Sequence, residues 1–157
     1  MRAAVLTLST SVAARAREDS SGVLLAELAE AAGWEIAAME VIADDAPLIE
    51  DRLRNYVEQE IELILTTGGT GLTPDDVTPE ATAAVIDRAI PGIGEALRAA
   101  SLAHTPHGML SREQAGVAGR TLIVNLPGSP RAVRQLWAVL EPVLVHAVAT
   151  IRGDGRH

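Results

Sequence analysis

The chain has 157 residues, a formal net charge of −8, no cysteine, no Phe, one Tyr and two Trp. That length makes one domain able to fold on an aliphatic core without a staple, and the missing cysteine excludes disulfides, a thiolate nucleophile and thiolate-held metals. The acidic balance, without a basic cluster or interleaved aromatics, counts against nucleic acid as a partner, because backbone-phosphate affinity rests on clustered Lys and Arg.

In chain order, residues 3–9 (AAVLTLS) read as a buried strand. Residues 1–6 are too short for a secretory apolar region and no small-residue cleavage pattern follows, so a cytoplasmic location is expected. Residues 20–32 carry Leu24, Leu25, Leu28 and Ala32 at helical spacing and stop at Gly33. A second strand is expected over 36–42. Over 47–60, Leu48, Ile49, Leu53 and Val57 form one helical stripe. Residues 62–67 read as a third strand and 68–78 as a Gly/Pro/Asp-rich loop. Thr78-Pro79-Glu80 reads as a helix start with a Thr cap, the helix running to about 89. A helix over 93–103, an irregular 104–119, a fourth strand over 121–126 and a helix over 131–151 broken at Pro142 follow, with a frayed tail over 153–157. No run approaches 18 apolar residues, so no membrane span is expected. This alternation predicts βαβ units in a three-layer α/β domain over 1–152.

In open parallel sheets, ligands bind beyond the carboxyl ends of the strands. Four features fall there: residues 9–22, Asp44-Asp45, residues 67–78 and Pro127-Gly128-Ser129-Pro130. In Thr67-Gly68-Gly69-Thr70-Gly71, glycines let main-chain N–H groups approach an anion, and the two Thr hydroxyls can add donors. A GGTG turn alone is equally compatible with a tight connection. It lacks the Gly-Lys-Ser/Thr of a Walker loop and the dinucleotide spacing. Asp44-Asp45 and Asp75-Asp76 either share a Mg²⁺ or serve as solvated turn acids. The Pro127–Pro130 turn either offers helix N–H groups to an anion or is a plain turn braced by Asn125. Arg112 faces either an anion or a local acid. His104 and His107 lack a third ligand for a zinc site.

The stretch Leu63 to Thr82, LILTTGGTGLTPDDVTPEAT, resembles the signature of the MogA/MoaB molybdopterin-binding family. Asp19-Ser20-Ser21-Gly22, Ile90-Pro91-Gly92, Leu110-Ser111-Arg112 and Gly119 through Pro130 follow in family order, so the resemblance covers nearly the whole chain. It implies a doubly wound, mostly parallel sheet with helices on both faces, a homotrimer, and a role in molybdenum cofactor synthesis. There, MogA-type members adenylylate molybdopterin with Mg-ATP and release pyrophosphate; the product passes to a molybdenum-insertion protein. The family's two essential aspartates match Asp44 and Asp76, read as catalytic and as Mg²⁺ ligands. Thr67 to Gly71, Ser111, Arg112, Asn125, Pro127, Gly128 and Ser129 become substrate contacts, with Ser9, Thr10, Asp19, Ser21 and Gly22 as further candidates. Two departures stand out: many members carry Ser-Asp where this chain has Ser9-Thr10, and a Gly where it has Arg15. The alternatives are a MoaB-like protein that binds molybdopterin without adenylylating it, and a subunit of a larger assembly.

Overall fold

The computed structural model describes residues 1–15 and 18–154. Its elements are β1 (Arg2–Leu8), α1 (Thr10–Ala13), α2 (Ser20–Ala31), β2 (Glu35–Ile42), α3 (Ala46–Glu58), β3 (Leu63–Thr67), α4 (Thr78–Ala83), β4 (Arg88–Ala89), α5 (Pro91–Leu102), a 3₁₀ turn (Pro106–Leu110), β5 (Ala115–Ala118), β6 (Thr121–Leu126) and α6 (Pro130–Arg152). The sheet order is β2-β1-β3-β6-β5-β4. β2, β1, β3 and β6 are parallel, whereas β5 runs antiparallel to β6 and to β4.

Side chains that alternate along each central strand divide the core in two. Ala3, Val5, Leu63, Leu65, Leu122 and Val124 meet α2, α5 and α6 on one face. Ala4, Leu6, Leu8, Ile64 and Ile123 meet Ile49, Leu53 and Tyr56 of α3 and Ala81 of α4 on the other. Apolar burial on both faces is what a strand sandwiched between helices requires. The expected three-layer, doubly wound α/β architecture is therefore the observed one.

Four local expectations give way to tertiary context. The helix begun at Thr78 ends at Ala83, because the chain beyond is drawn into an edge strand: Asp87 N–H donates to Val117 (2.7 Å) and Ile90 N–H to Ala115 (2.8 Å). Part of the irregular 104–119 is strand β5, joined to β6 through Gly119, whose φ is +57°. Helix α6 continues through Pro142; Trp137, Leu140, Leu144 and Val148 bury on both sides of it and offset a proline cost of ~3 kcal/mol. Thr78 is not a cap: α4 starts after Val77 with no side-chain cap bond, and the Thr78 hydroxyl donates to the Gly68 carbonyl (2.9 Å).

By length and composition α6 could also cross a membrane, at mean hydropathy 1.2, which the count of apolar runs did not anticipate. Its stripe from Val133 to Val148 instead lies in the core. Residues 155–157 of the expected tail lie outside the described residues.

The strand register sets the functional end of the sheet. Thr7 is level with Thr67, and Thr67 with Leu126, so β1, β3 and β6 end together. The connection leaving β1 leads to α2 on one face and that leaving β3 leads to α4 on the other. A crevice opens where the windings diverge.

Candidate functional site

The loop after β3 turns sharply into that crevice. Gly68 (φ +99°) and Gly69 (φ +66°) occupy backbone conformations that side chains rarely adopt. Neither has room for a Cβ: one on Gly68 would sit 2.3 Å from the Leu8 carbonyl oxygen, and one on Gly69 would sit 2.2 Å from Thr78 Oγ1. Gly68 N–H is tied to Leu126 (3.0 Å) and the Gly69 carbonyl accepts from Thr78 N–H (3.1 Å). Among the described residues, the N–H groups of Gly69, Thr70 and Gly71 meet no protein acceptor. Such consecutive free donors suit an anion.

Arg112 braces the back of this loop. Its backbone N–H donates to Thr70 (2.9 Å), Nε to the Gly71 carbonyl (2.7 Å) and Nη2 to the Asp76 carbonyl (2.6 Å), while Nη1 pairs with Glu80. The Arg112 hydrogen bond holds the Glu80 carboxyl below the usual carboxylate range. Of the two expectations for Arg112, the local acid is therefore the observed partner. A guanidinium committed to three protein acceptors fixes the shape of the cradle.

Two adjoining chambers share Gly68, Gly69, Asp76 and Gly128. The first, about 250 Å³, lies between the ends of β1 and β3 and adds Ser9, Asp19, Ser21, Asp44 and Thr67. Its described lining holds four acids, Glu18, Asp19, Asp44 and Asp76, and no Lys or Arg. The second, about 580 Å³, adds Thr70, Gly71, Ser111, Pro127 and Ser129, with Leu72, Leu110 and His107 along its wall.

Asp44 and Asp76 are held alike. Asp44 Oδ2 accepts from the backbone N–H (2.8 Å) and hydroxyl (3.1 Å) of Thr10; Asp76 Oδ2 accepts from the N–H and hydroxyl of Thr73, both at 2.8 Å. Among the described residues neither Oδ1 meets a donor, and that of Asp44 lies near Gly69. Thr10 thus orients Asp44.

Other candidate residues also carry bonds within the protein. Asp19 caps α2 through Gly22 N–H (2.8 Å) and accepts the Thr7 hydroxyl (2.8 Å) while lining the first chamber. The Thr67 hydroxyl donates to the Pro127 carbonyl (2.8 Å), and the residue lines the first chamber. Asn125, wholly buried, neither lines the cleft nor braces the Pro127 turn: its amide donates to the hydroxyls of Thr66 and Thr82, both at 3.0 Å. Ser129 caps α6 by accepting from Ala132 N–H (3.4 Å) and keeps its own proton to donate. Arg15 holds φ +58°, a left-handed conformation that glycine adopts more readily. His107, Leu110 and Leu72 were missed, since nothing local shows that residues 106–110 return to the cleft. Among the described residues, no three His, Asp or Glu side chains gather to hold a metal by themselves.

A family model described as "Probable molybdopterin binding domain" matches residues 4–146. The chain is 43% identical to the crystal structure of the molybdopterin biosynthesis enzyme MoaB from Thermus thermophilus, covering 97% of this chain and 96% of that one at a TM-score of 0.91. It is 40% identical over 116 residues to a molybdopterin adenylyltransferase from Helicobacter pylori, spanning 73% of this chain and 66% of that protein. It is 38% identical over 155 residues to the molybdenum cofactor synthesis protein cinnamon from Drosophila melanogaster, covering 96% of this chain and 25% of that protein. The chain spans half or less of the length of several curated relatives it matches. It belongs to the MogA/MoaB molybdopterin-binding family.

Proposed function

We propose that the protein works in molybdenum cofactor synthesis as a molybdopterin adenylyltransferase. An oxygen of the molybdopterin phosphate attacks the α-phosphorus of ATP, a new P–O–P bond forms, and the bond to the β-phosphate breaks to release pyrophosphate. The observation that carries this reading is the pairing of the free N–H row of Gly69 to Gly71 with two aspartates that line the same chamber. A molybdopterin-binding task alone does not need that pair.

The residues fit a divalent cation. Mg²⁺ favours a few carboxylate oxygens completed by substrate phosphates and water, and a chamber with four acids and no described Lys or Arg cannot otherwise receive a polyphosphate. Asp44 and Asp76 would hold the ion, which would neutralise phosphate charge as it builds at the α-phosphorus. The attacking phosphate is already an anion, so the protein needs no strong base. Its task is to position two anions and hold them together. The N–H groups of Gly69 to Gly71 and the Ser129 hydroxyl grip phosphate oxygens, and the roomier second chamber takes the ring system. A homotrimer, a cytoplasmic location and hand-over to a molybdenum-insertion protein belong to the same proposal, resting on the family resemblance.

Incubating the protein with molybdopterin, ATP and Mg²⁺ should yield adenylylated molybdopterin and pyrophosphate. Retained molybdopterin without product would overturn the enzyme reading and leave a MoaB-like binding protein.

A further inference from the structure

The strap that carries Arg112 holds a feature the proposed reaction does not use. Among the described residues, Ser111 Oγ and both carboxyl oxygens of Glu113 are buried with no partner in good hydrogen-bond geometry other than one another, and Glu113 is only 2% exposed. The residues around Glu113 are pinned: Arg112 to the carbonyls of Thr70, Gly71 and Asp76, and Gln114 through its carbonyl to Asn125 N–H (2.8 Å). The charged group facing Glu113 is Arg98 of α5, but its Nη1 donates to the Glu113 backbone carbonyl (2.9 Å) and not to the carboxyl. The strap contributes the uncharged Ser111 and Gln114, and β4 and β5 line the adjoining cavity of about 260 Å³ with Ala89 and Ala115.

An ionised carboxylate buried without donors is costly, whereas a protonated one both donates and accepts as a neutral group. Burial accordingly pushes the Glu113 carboxyl up, with the neighbouring Ser111 hydroxyl and the Arg98 charge opposing it more weakly. Charging Glu113 would draw in water or pull Arg98 off its carbonyl, and either shift moves a strap fixed to the loop one residue away.

We propose that Glu113 is a positioning residue that works as a neutral acid: packed beside Ser111, its protonated side chain holds the 111–113 strap, and thereby Arg112, against the loop that cradles the ligand. This rests on reading residues 67–71 as that cradle. Loss of the Glu113 proton loosens the cradle, so ligand retention falls at high pH for a reason located outside the cleft.

The test uses the whole chain without ligand. Amide hydrogen exchange, corrected for intrinsic rates, is followed across pH at Arg112 and Thr78, whose N–H groups are bonded to Thr70 and Gly69. In parallel, the Glu113 side-chain carboxyl is titrated by ¹³C NMR. Protection at both amides should fall about tenfold as Glu113 ionises, and that ionisation should lie above that of the exposed glutamates. Glu113→Gln, which keeps a neutral side chain of the same shape, should retain protection to high pH, whereas Glu113→Ala should lose it at every pH. Titration of Glu113 together with the exposed glutamates overturns the proposal even if no variant folds. So does a Gln variant that loosens like Ala, or protection that stays level while Glu113 ionises. Molybdopterin retention is measured alongside: a chain that shows the amide pattern but never retains molybdopterin supports the positioning role and removes the ligand reading alone.

Discussion

Gly68→Ala tests whether the cradle depends on backbone that only glycine can supply. The added Cβ would lie 2.3 Å from the Leu8 carbonyl oxygen, so reaching an ordinary contact of 3.4 Å requires about 1.1 Å of separation between the ends of β1 and β3. Gly33 provides the control: its φ is +90°, nearly that of Gly68, but a Cβ there meets nothing within 4 Å. Gly33→Ala therefore isolates the conformational cost, about 1–3 kcal/mol. Gly68→Ala carries the same cost plus the steric displacement, and a 1 Å misplacement of a site lowers rates by as much as ~10²-fold. Urea denaturation should place Gly68→Ala below Gly33→Ala in stability. Molybdopterin binding, measured well below the unfolding transition, should fall sharply for the first and hold for the second. Equal stability and equal binding for the two variants would refute the claim that close approach to Leu8 shapes the loop.

Asp44→Asn and Asp76→Asn should each leave thermal unfolding almost unchanged and lower adenylylation ~10²–10³-fold, the scale of one lost electrostatic contact at a reacting centre; full activity at limiting Mg²⁺ would contradict their assignment. Asn125→Leu should cost roughly 2–3 kcal/mol in urea unfolding, because Thr66 and Thr82 would keep buried hydroxyls without their partner. Arg15→Gly should stabilise by ~0.5–1 kcal/mol, since Arg15 holds a left-handed conformation that glycine adopts without steric cost. Glu80 is held below its ordinary range by Arg112, so its contribution is present above the unfolded glutamate range and is lost as pH falls through the lowered folded value. Wild type should therefore exceed Glu80→Gln in urea midpoint at neutral pH and converge with it in acid, the gap staying under ~1 kcal/mol for so exposed a pair.

Much of the fold is written in local pattern. The runs at residues 3–9, 36–42, 62–67 and 121–126 mark the four parallel strands within a residue or two; in β1, β3 and β6 burial on both sheet faces demands continuous apolar sequence, whereas the edge strand β2 is exposed or half-buried over most of its length. The stripes of α2, α3 and α5 mark helices for a similar reason: their period is set by backbone geometry that each segment carries itself. The Gly68-Gly69 turn and the placement of Asp44 and Asp76 at strand ends follow from the same order of elements. Strand β5 was not legible, because the four small residues AGVA become a strand through pairing with β6. Nor was the continuity of α6 through Pro142, which depends on the core gripping the helix on either side.

The chemistry divides along the same line. A sequence names a polar side chain but not its partner, and only the tertiary structure shows that Thr67, Asp19, Asn125 and Arg112 bond to Pro127, Gly22, Thr66 and Gly71 within the protein. The converse holds for His107, brought to the cleft by a 3₁₀ turn that no local period announces, and for Glu113, whose unpartnered burial exists only once α5 and β5 close over it. Sequence pattern by itself determined the layers and the glycine turn after β3, because period, glycine conformation and element order are local properties. Tertiary packing alone decided which polar atoms remain free for a ligand, because that depends on neighbours far along the chain.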